Sequence, residues 1–346
     1  MADKIKQITK ALGVPRLIII SFFITLCILA VILKLPISMI LSDTLVRTGM
    51  NGILVLAMVP GILSGIGLNF GLPLGIVCGL LGGLISIELN LSGFTGLFVA
   101  IIISIPISAV VGYFYGLLLN KVKGSEMMVS TYVGFSAISL MCIGWLVMPF
   151  TSAEIKWPIG EGLRTTIALT SRYDKVLNSF LSFRIGKIII PTGLWLFFLG
   201  CCFAVWLFLR SKSGIAMKAC GDNPKFAIAS GIDVDKSRIL GTMISTILGA
   251  VGIIIYAQSY GFYQLYQAPM MMGFAAVAAI LIGGSSARSS KISHVILGTF
   301  LFQGLLTVSL PVANKIVTEG NLSEVARIIV QNGIILYALT KVGAGD

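Results

Sequence analysis

Thirteen carboxylates and a single histidine are the groups of this chain best suited to proton chemistry, and their placement is uninviting for it. Asp3, Asp43, Glu88, Glu126, Glu154, Glu161, Asp174, Asp222, Asp233, Asp235, Glu319, Glu324 and Asp346 all fall in expected loops, tails or helix ends, so no apolar run carries a carboxylate in its middle. Proton- and sodium-driven transporters place ionisable groups inside the bundle to bind the coupling ion. Sodium sites built from backbone carbonyls stay open, but the pattern points to a neutral solute. His294 stands beside Ser293 without an acid partner, which counts against a Ser–His–acid constellation and reads as an interfacial polar residue. The six cysteines show no metal-like spacing. No phosphate-binding loop is spelled either: Gly186 and Lys187 lack the upstream glycine and the following hydroxyl, so this chain is not expected to hydrolyse ATP itself.

What the apolar runs do contain is glycine. Gly67, Gly71, Gly75, Gly79 and Gly83 recur every fourth residue, a ladder that would let another helix approach closely along one face. A second reading is that Asn69, Gly71 and Pro73 interrupt the helix and free backbone groups to line a polar pathway, which is tolerated only against protein or a water-filled cavity. Asn51, Asn69, Phe70, Gly71, Pro73 and Phe274 are the candidate lining of that pathway. The segment from Gln258 to Gln267 alternates aromatic rings with amides, as an interfacial aromatic belt does, or alternatively as an entrance on which a sugar or base could stack.

The elements that must hold these residues follow from composition. At 57% hydrophobic and 11% charged over 346 residues, the chain is a polytopic membrane protein rather than a water-soluble globule. Apolar runs predict about ten helices, near Leu17 to Leu33, Thr44 to Leu63, Phe70 to Ile87, Thr95 to Leu119, Met127 to Pro149, Lys187 to Leu209, Ile239 to Ala257, Pro269 to Gly284, Ile292 to Leu310 and Ser323 to Thr340. The expected fold is thus an all-α, single transmembrane domain over residues 1–346 with both termini cytoplasmic. That orientation places most bases inside, including Lys4, Lys6, Lys10, Arg16, Lys121, Lys123, Arg210, Lys212, Lys218 and Arg238, against Lys34 and Lys315 in short outer loops. The net charge of +12 then reports orientation and anionic lipid, with no call on nucleic acid. Arg47 is read as snorkelling near an outer helix end. Two loops are long: an extracytoplasmic one over 151–186, able to hold a small folded cap, and a charged cytoplasmic one over 210–238.

Within the charged loop, local chemistry predicts a turn at Gly221 to Pro224 and then a short surface helix, capped by Asp222 or Asn223 and ending at Gly231. The pattern Gly214, Ala219, Gly221, Asn223, Ala227, Ser230, Gly231, Ile232 resembles the cytoplasmic coupling segment in membrane subunits of ABC importers for ribose, other simple sugars, nucleosides and related solutes, a superfamily shared with branched-chain amino acid permeases. Leu281, Ile282, Gly283, Gly284 and Ser285, followed by Gly298 and Thr299, are similar to the family's paired-glycine segment and the start of its next helix. Leu68, Asn69 and Phe70 fall where the family often has an aspartate between hydrophobic residues; Ser289, Ser290 and Lys291 also depart from its pattern.

The resemblance covers most of the chain and implies a half-transporter in a bacterial cytoplasmic membrane. Its implied partners are a second permease chain, identical or related, ATP-binding subunits that hold ATP and Mg, and an extracytoplasmic solute-binding protein. Gly214, Ala219, Gly221, Asp222, Asn223, Ala227, Ser230 and Gly231 would dock the ATPase, and the chain itself would carry no cofactor. The solute would be a simple sugar or nucleoside. A channel or secondary transporter working without ATP shares the hydropathy but gives no reason for a capped helix in the inner loop.

Overall fold

A computed structural model describes residues 14–160, 162–316, 325, 328–329 and 331–336. It is a helical bundle, as expected where long apolar runs must satisfy their own backbone groups. In chain order the helices are α1 (Val14–Ile32), α2 (Ile37–Leu56), running on through α3 (Met58–Leu63), α4 (Leu72–Glu88), α5 (Gly93–Lys121), α6 (Glu126–Val147), the short α7 (Val176–Ser179), α8 (Thr192–Arg210), α9 (Lys212–Asp222), α10 (Pro224–Ala229), α11 (Val234–Tyr260), α12 (Gln267–Ile282) and α13 (Ile292–Ile316). Among the described residues, six helical segments are long and apolar enough to cross a membrane, and three shorter apolar helices accompany them. Half of the segment 323–340, expected as a tenth span, lies outside the described residues, as do Lys4, Lys6, Lys10 and both termini.

α11 is the axis of the packing. Gly75 and Gly79 of α4 lie against its backbone, where a Cβ would meet the carbonyls of Thr246 and Ala250, and a Cβ on Gly112 or Gly116 of α5 would come within 2.9 Å of Met243 or Ile239 Cα. Small residues let three backbones close on one another where lipid supplies no hydrophobic drive between helices. The glycine ladder therefore serves the expected close approach at Gly75 and Gly79. Gly71 and Gly83 instead sit beneath the rings of Tyr115 and Tyr263, and Gly67 faces Met127 from a non-helical stretch.

The helix expected from Thr44 begins at Ile37, directly after Pro36, so Asp43 and Arg47 lie inside α2 rather than at its edge. Loops at the opposite ends of the bundle differ in kind. At one end, residues 151–191 fold into a small cap: β1 (Thr166–Ala168) pairs antiparallel with β4 (Phe262–Gln264), and β2 (Phe183–Ile185) pairs with β3 (Ile188–Ile190). Tyr263 is in register with Ile167 and fully buried, so part of the aromatic segment is core rather than interfacial belt. Its hydroxyl meets that of Tyr173 at 3.1 Å, and burial pushes both phenol pKa values up. Arg172 pairs with both Glu154 oxygens at 2.8 and 3.0 Å, closing the cap. The other end carries α9, α10 and the connections at 64–71, 122–125 and 283–291.

Candidate functional site

The chain leaves the helix after Leu63 and re-enters it at Leu72, where Pro73 sits in the first turn and needs no N–H partner. Asn69 holds this interruption. Its Oδ1 accepts from the Gly71 amide at 3.0 Å and from the Tyr115 hydroxyl at 2.9 Å, while Nδ2 donates to Ser245 Oγ at 2.8 Å. Ser245 in turn donates to the Ala57 carbonyl at 2.6 Å. At 2% exposure, Asn69 is fully engaged as a buried clamp between α5, α11 and the interruption. Net hydrogen bonds of about 0.5–1.5 kcal/mol each, with a larger penalty for any buried group left alone, make it a fixed point.

Phe70, Pro73 and Phe274 come together, with Thr131, Gly134, Phe135, Ile138, Met270 and Gly273 between α6 and α12. Phe70 and Phe135 stand on either side of Phe274, centroids 5.9 and 6.2 Å away. The free space left there is about 10 Å³, at the threshold for one water molecule, so this apolar groove is shut.

Asn51 belongs to a different space. A cavity of about 220 Å³ opens among α2, α11, β4, α12 and α13, walled by Arg47, Asn51, Tyr256, Tyr260, Gln264, Gln267 and Gln303 and floored by Ala275, Phe302 and Leu306. Tyr256 and Tyr260 stack at 5.3 Å with their planes 24° apart. Gln303 is 6% exposed, and among the described residues its side chain makes no hydrogen bond, nor do those of Arg47, Gln264 and Gln267. Among the described residues, no carboxylate lines the cavity. Unpartnered amides and a guanidinium around a stacked aromatic pair can hold a flat, carbonyl-bearing neutral solute. Gln303 is absent from the sequence candidates, whose amides Asn51 and Asn69 lie in the second apolar run and at the edge of the third; an amide inside the run Ile292 to Leu310 is the signal that points to it.

At the opposite end, α9 and α10 form one unit. Ser211 Oγ accepts from the Gly214 amide at 3.3 Å, capping α9, and Asn223 Oδ1 accepts from the Phe226 amide at 3.1 Å, capping α10. The cap is thus Asn223, with Asp222 exposed at the end of α9. Gly221 is not in the predicted turn but in the last turn of α9, because Lys212 to Asp222 continue as helix up to the Asn223–Pro224 stop. Gly214 packs on Leu209, a Cβ there coming within 2.6 Å of its Cα. Ala219 O accepts the Asn223 amide at 3.0 Å, Ala227 is buried and accepts from Ile232, and Ser230 and Gly231, the latter at φ +76°, close α10. Phe226 and Ile228 are exposed at 64% and 65%, with Ile215 of α9 also exposed, which marks an apolar contact surface at this end. In the paired-glycine segment, the backbones of Gly283 and Gly298 lie together, and Ser285 Oγ meets Ser290 Oγ at 2.7 Å and His294 Nδ1 at 3.2 Å.

Residues 19–339 match the protein family described as branched-chain amino acid transport system, permease component, and the chain belongs to that family. It is an ABC-type membrane permease of this superfamily, as the coupling-segment resemblance implied. The chain is 29% identical over 97 residues to the nucleoside ABC transporter permease protein NupC of Lactococcus lactis subsp. cremoris, covering 28% of this chain and 31% of that one. It is 32% identical over 82 residues to the guanosine ABC transporter permease protein NupQ of Bacillus subtilis, covering 23% and 26%. Against the high-affinity branched-chain amino acid permease LivH of Salmonella typhimurium it is 29% identical over 142 residues, covering 40% and 46%. The chain therefore spans less than half the length of these curated relatives. No solved structure matches it.

Proposed function

We propose that this chain is the transmembrane subunit of an ATP-driven importer and forms the pathway for a small neutral solute, a nucleoside in the first reading and a simple sugar in the second. The observation that carries the choice is the cavity: Tyr256 stacked on Tyr260 among Asn51, Gln264, Gln267 and Gln303. Both a base and the C–H face of a sugar can stack on an aromatic ring, and a base offers the larger flat area and so gains more from the paired rings. An amino acid zwitterion fits less well, because among the described residues the lining offers Arg47 to a carboxylate but no acid to an ammonium group. Two of the relatives are named for nucleoside or guanosine transport.

In this reading the end with α9 and α10 faces the cytoplasm, both termini lie there, ten helices span a bacterial inner membrane, and the capped end meets a solute-binding protein. Phe226 and Ile228 enter a cleft of the ATP-binding subunit, which holds ATP and Mg; a second permease chain completes the pathway. Closure of the ATPase pair shifts the balance between two packings of the bundle, and the loaded binding protein shifts it back.

The test is uptake of radiolabelled guanosine, ribose and leucine into proteoliposomes containing the chain with its co-purifying ATPase and the binding protein. ATP-dependent guanosine uptake whose KM rises about tenfold in Tyr260→Ala is expected, from a stacking contribution of roughly 1–3 kcal/mol. Ribose uptake indifferent to Tyr260→Ala would replace the nucleoside by the sugar, and solute entry without ATP would replace the importer by a channel.

A further inference from the structure

Arg238, at the start of α11, joins three segments that are distant in sequence. Its Nε donates to Asn120 Oδ1 at 2.9 Å, at the end of α5, and its Nη1 donates to the Gly65 carbonyl at 3.4 Å in the helix interruption. Its Nη2 pairs with the Glu126 carboxylate at the start of α6. The Arg238 and Glu126 side chains are only 8% and 13% exposed, unlike the nearby Lys123–Asp235 pair at 51% and 56%. A sealed ion pair is a poor way to add stability and is best understood where it fixes one register among alternatives, whereas an exposed pair contributes little of either.

Gly65 is also where α9 touches the bundle. A Cβ on Gly65, which sits at φ +79°, would lie 3.1 Å from Gly221 Cα, and one on Gly221 would run into the Leu63 carbonyl. Backbone meets backbone there, with no flexible side chain between to absorb a displacement. From Glu126, α6 runs up to Thr131, Gly134, Phe135 and Ile138, one wall of the shut apolar groove that Phe274 closes from α12. An apolar constriction of this kind gates by how closely its rings meet.

Resting on the reading of α9 and α10 as the ATPase dock, we propose that Arg238 is the positioning residue of coupling. A shift of α9 reaches Gly65 through Gly221, passes through the Arg238 fork to Glu126, and tilts α6 so that the Phe70, Phe135 and Phe274 groove opens or closes. Arg238 touches no solute and no nucleotide; it acts by holding Gly65 and α6 in one register.

The experiment uses the complex of this chain with its ATPase subunits in nanodiscs, with Phe135→Cys and Phe274→Cys introduced together and cross-linked by a short bis-maleimide, the product identified by peptide mass. Cross-linking yield is compared without nucleotide and with ATP trapped by vanadate. At least a fivefold change is expected with Arg238 and Glu126 in place, falling below twofold in Arg238→Gln and in Glu126→Gln, while Lys123→Ala keeps it. Co-purification of the ATPase and thermal midpoint are followed in parallel, and Glu126→Gln keeps the test decisive if Arg238→Gln fails to fold, since it preserves shape. A nucleotide response surviving both variants, or no response even with both residues in place, overturns this inference alone; an ATPase that does not co-purify with the unaltered chain overturns the importer reading and this inference with it.

Discussion

Asn69 and Gln303 are both amides nearly sealed from solvent, at 2% and 6% exposure, yet they live opposite lives. Asn69 spends its oxygen on Gly71 and Tyr115 and its nitrogen on Ser245, and Arg238 nearby spreads its fork over Asn120, Gly65 and Glu126. Gln303, with Arg47, Gln264 and Gln267 around it, makes no side-chain hydrogen bond among the described residues. Buried polar groups cost free energy unless paired, so the first site is held, and in the proposed reading the second is completed by the solute. One chain thus uses the same functional group in two ways, held by internal partners at one end and left open to a cavity at the other.

The strongest way to break this contrast is Asn69→Ala. It strands the Tyr115 hydroxyl and the Gly71 amide, at about 1–3 kcal/mol for each buried group left unpaired, so a total loss of about 2–5 kcal/mol is expected as a lower thermal midpoint in detergent. A loss under about 1 kcal/mol would show that the interruption is not clamped. Next comes Phe226→Asp, which should weaken retention of the ATPase subunit by roughly thirtyfold, the equivalent of a 2 kcal/mol interface anchor, with the midpoint unmoved. Unchanged retention measured by pull-down would remove α10 from the dock.

Gln303→Leu sharpens the other side: the fold should be as stable or slightly more so, while solute KM rises about three- to tenfold, the size of one net hydrogen bond. A fall in stability instead would show that Gln303 is internally satisfied. The smallest effect concerns Asp233, whose carboxylate accepts from the Lys236 amide at 3.0 Å and is held below its ordinary 3.8, chiefly by that bond. Its folded pKa being depressed, the cap's contribution is present above 3.8 and is lost as pH falls through the lower folded value. Amide exchange at Lys236 should accelerate below that pH, and Asp233→Asn should remove the pH dependence.

Much of this was legible before folding. Runs of apolar residues placed α1, α4, α5, α6, α8, α11, α12 and α13 within six residues of their ends, because in a membrane the backbone permits little else. Local chemistry announced a cap at Asp222 or Asn223, which the structure gives to Asn223, and the trio Phe70, Pro73 and Phe274 does meet in one groove. The misses share a cause. Gly221 read as a turn because glycine favours turns, but its place is decided by Leu63 and Gly65, more than 150 positions away in sequence. Tyr263 read as interfacial because it lies among rings and amides, but its pairing with Ile167 buries it. Arg238 read as one more inward-biased base, since a guanidinium's three partners cannot be counted from its neighbours along the chain.

By itself, then, the sequence determined that this chain lives in a membrane, that no carboxylate is available at its centre for ion coupling, and that a capped helical segment projects from a charged loop. Those properties depend on side-chain transfer energies and on contacts a few residues apart, which a linear order carries in full. Only the tertiary structure decided which amides would be spent and which left open: Asn69 closed on Ser245, and Gln303 left facing Tyr256 and Tyr260. Hydrogen bonds reach about 3 Å, and which groups come within that distance is set by how the helices cross, a property of the packed bundle.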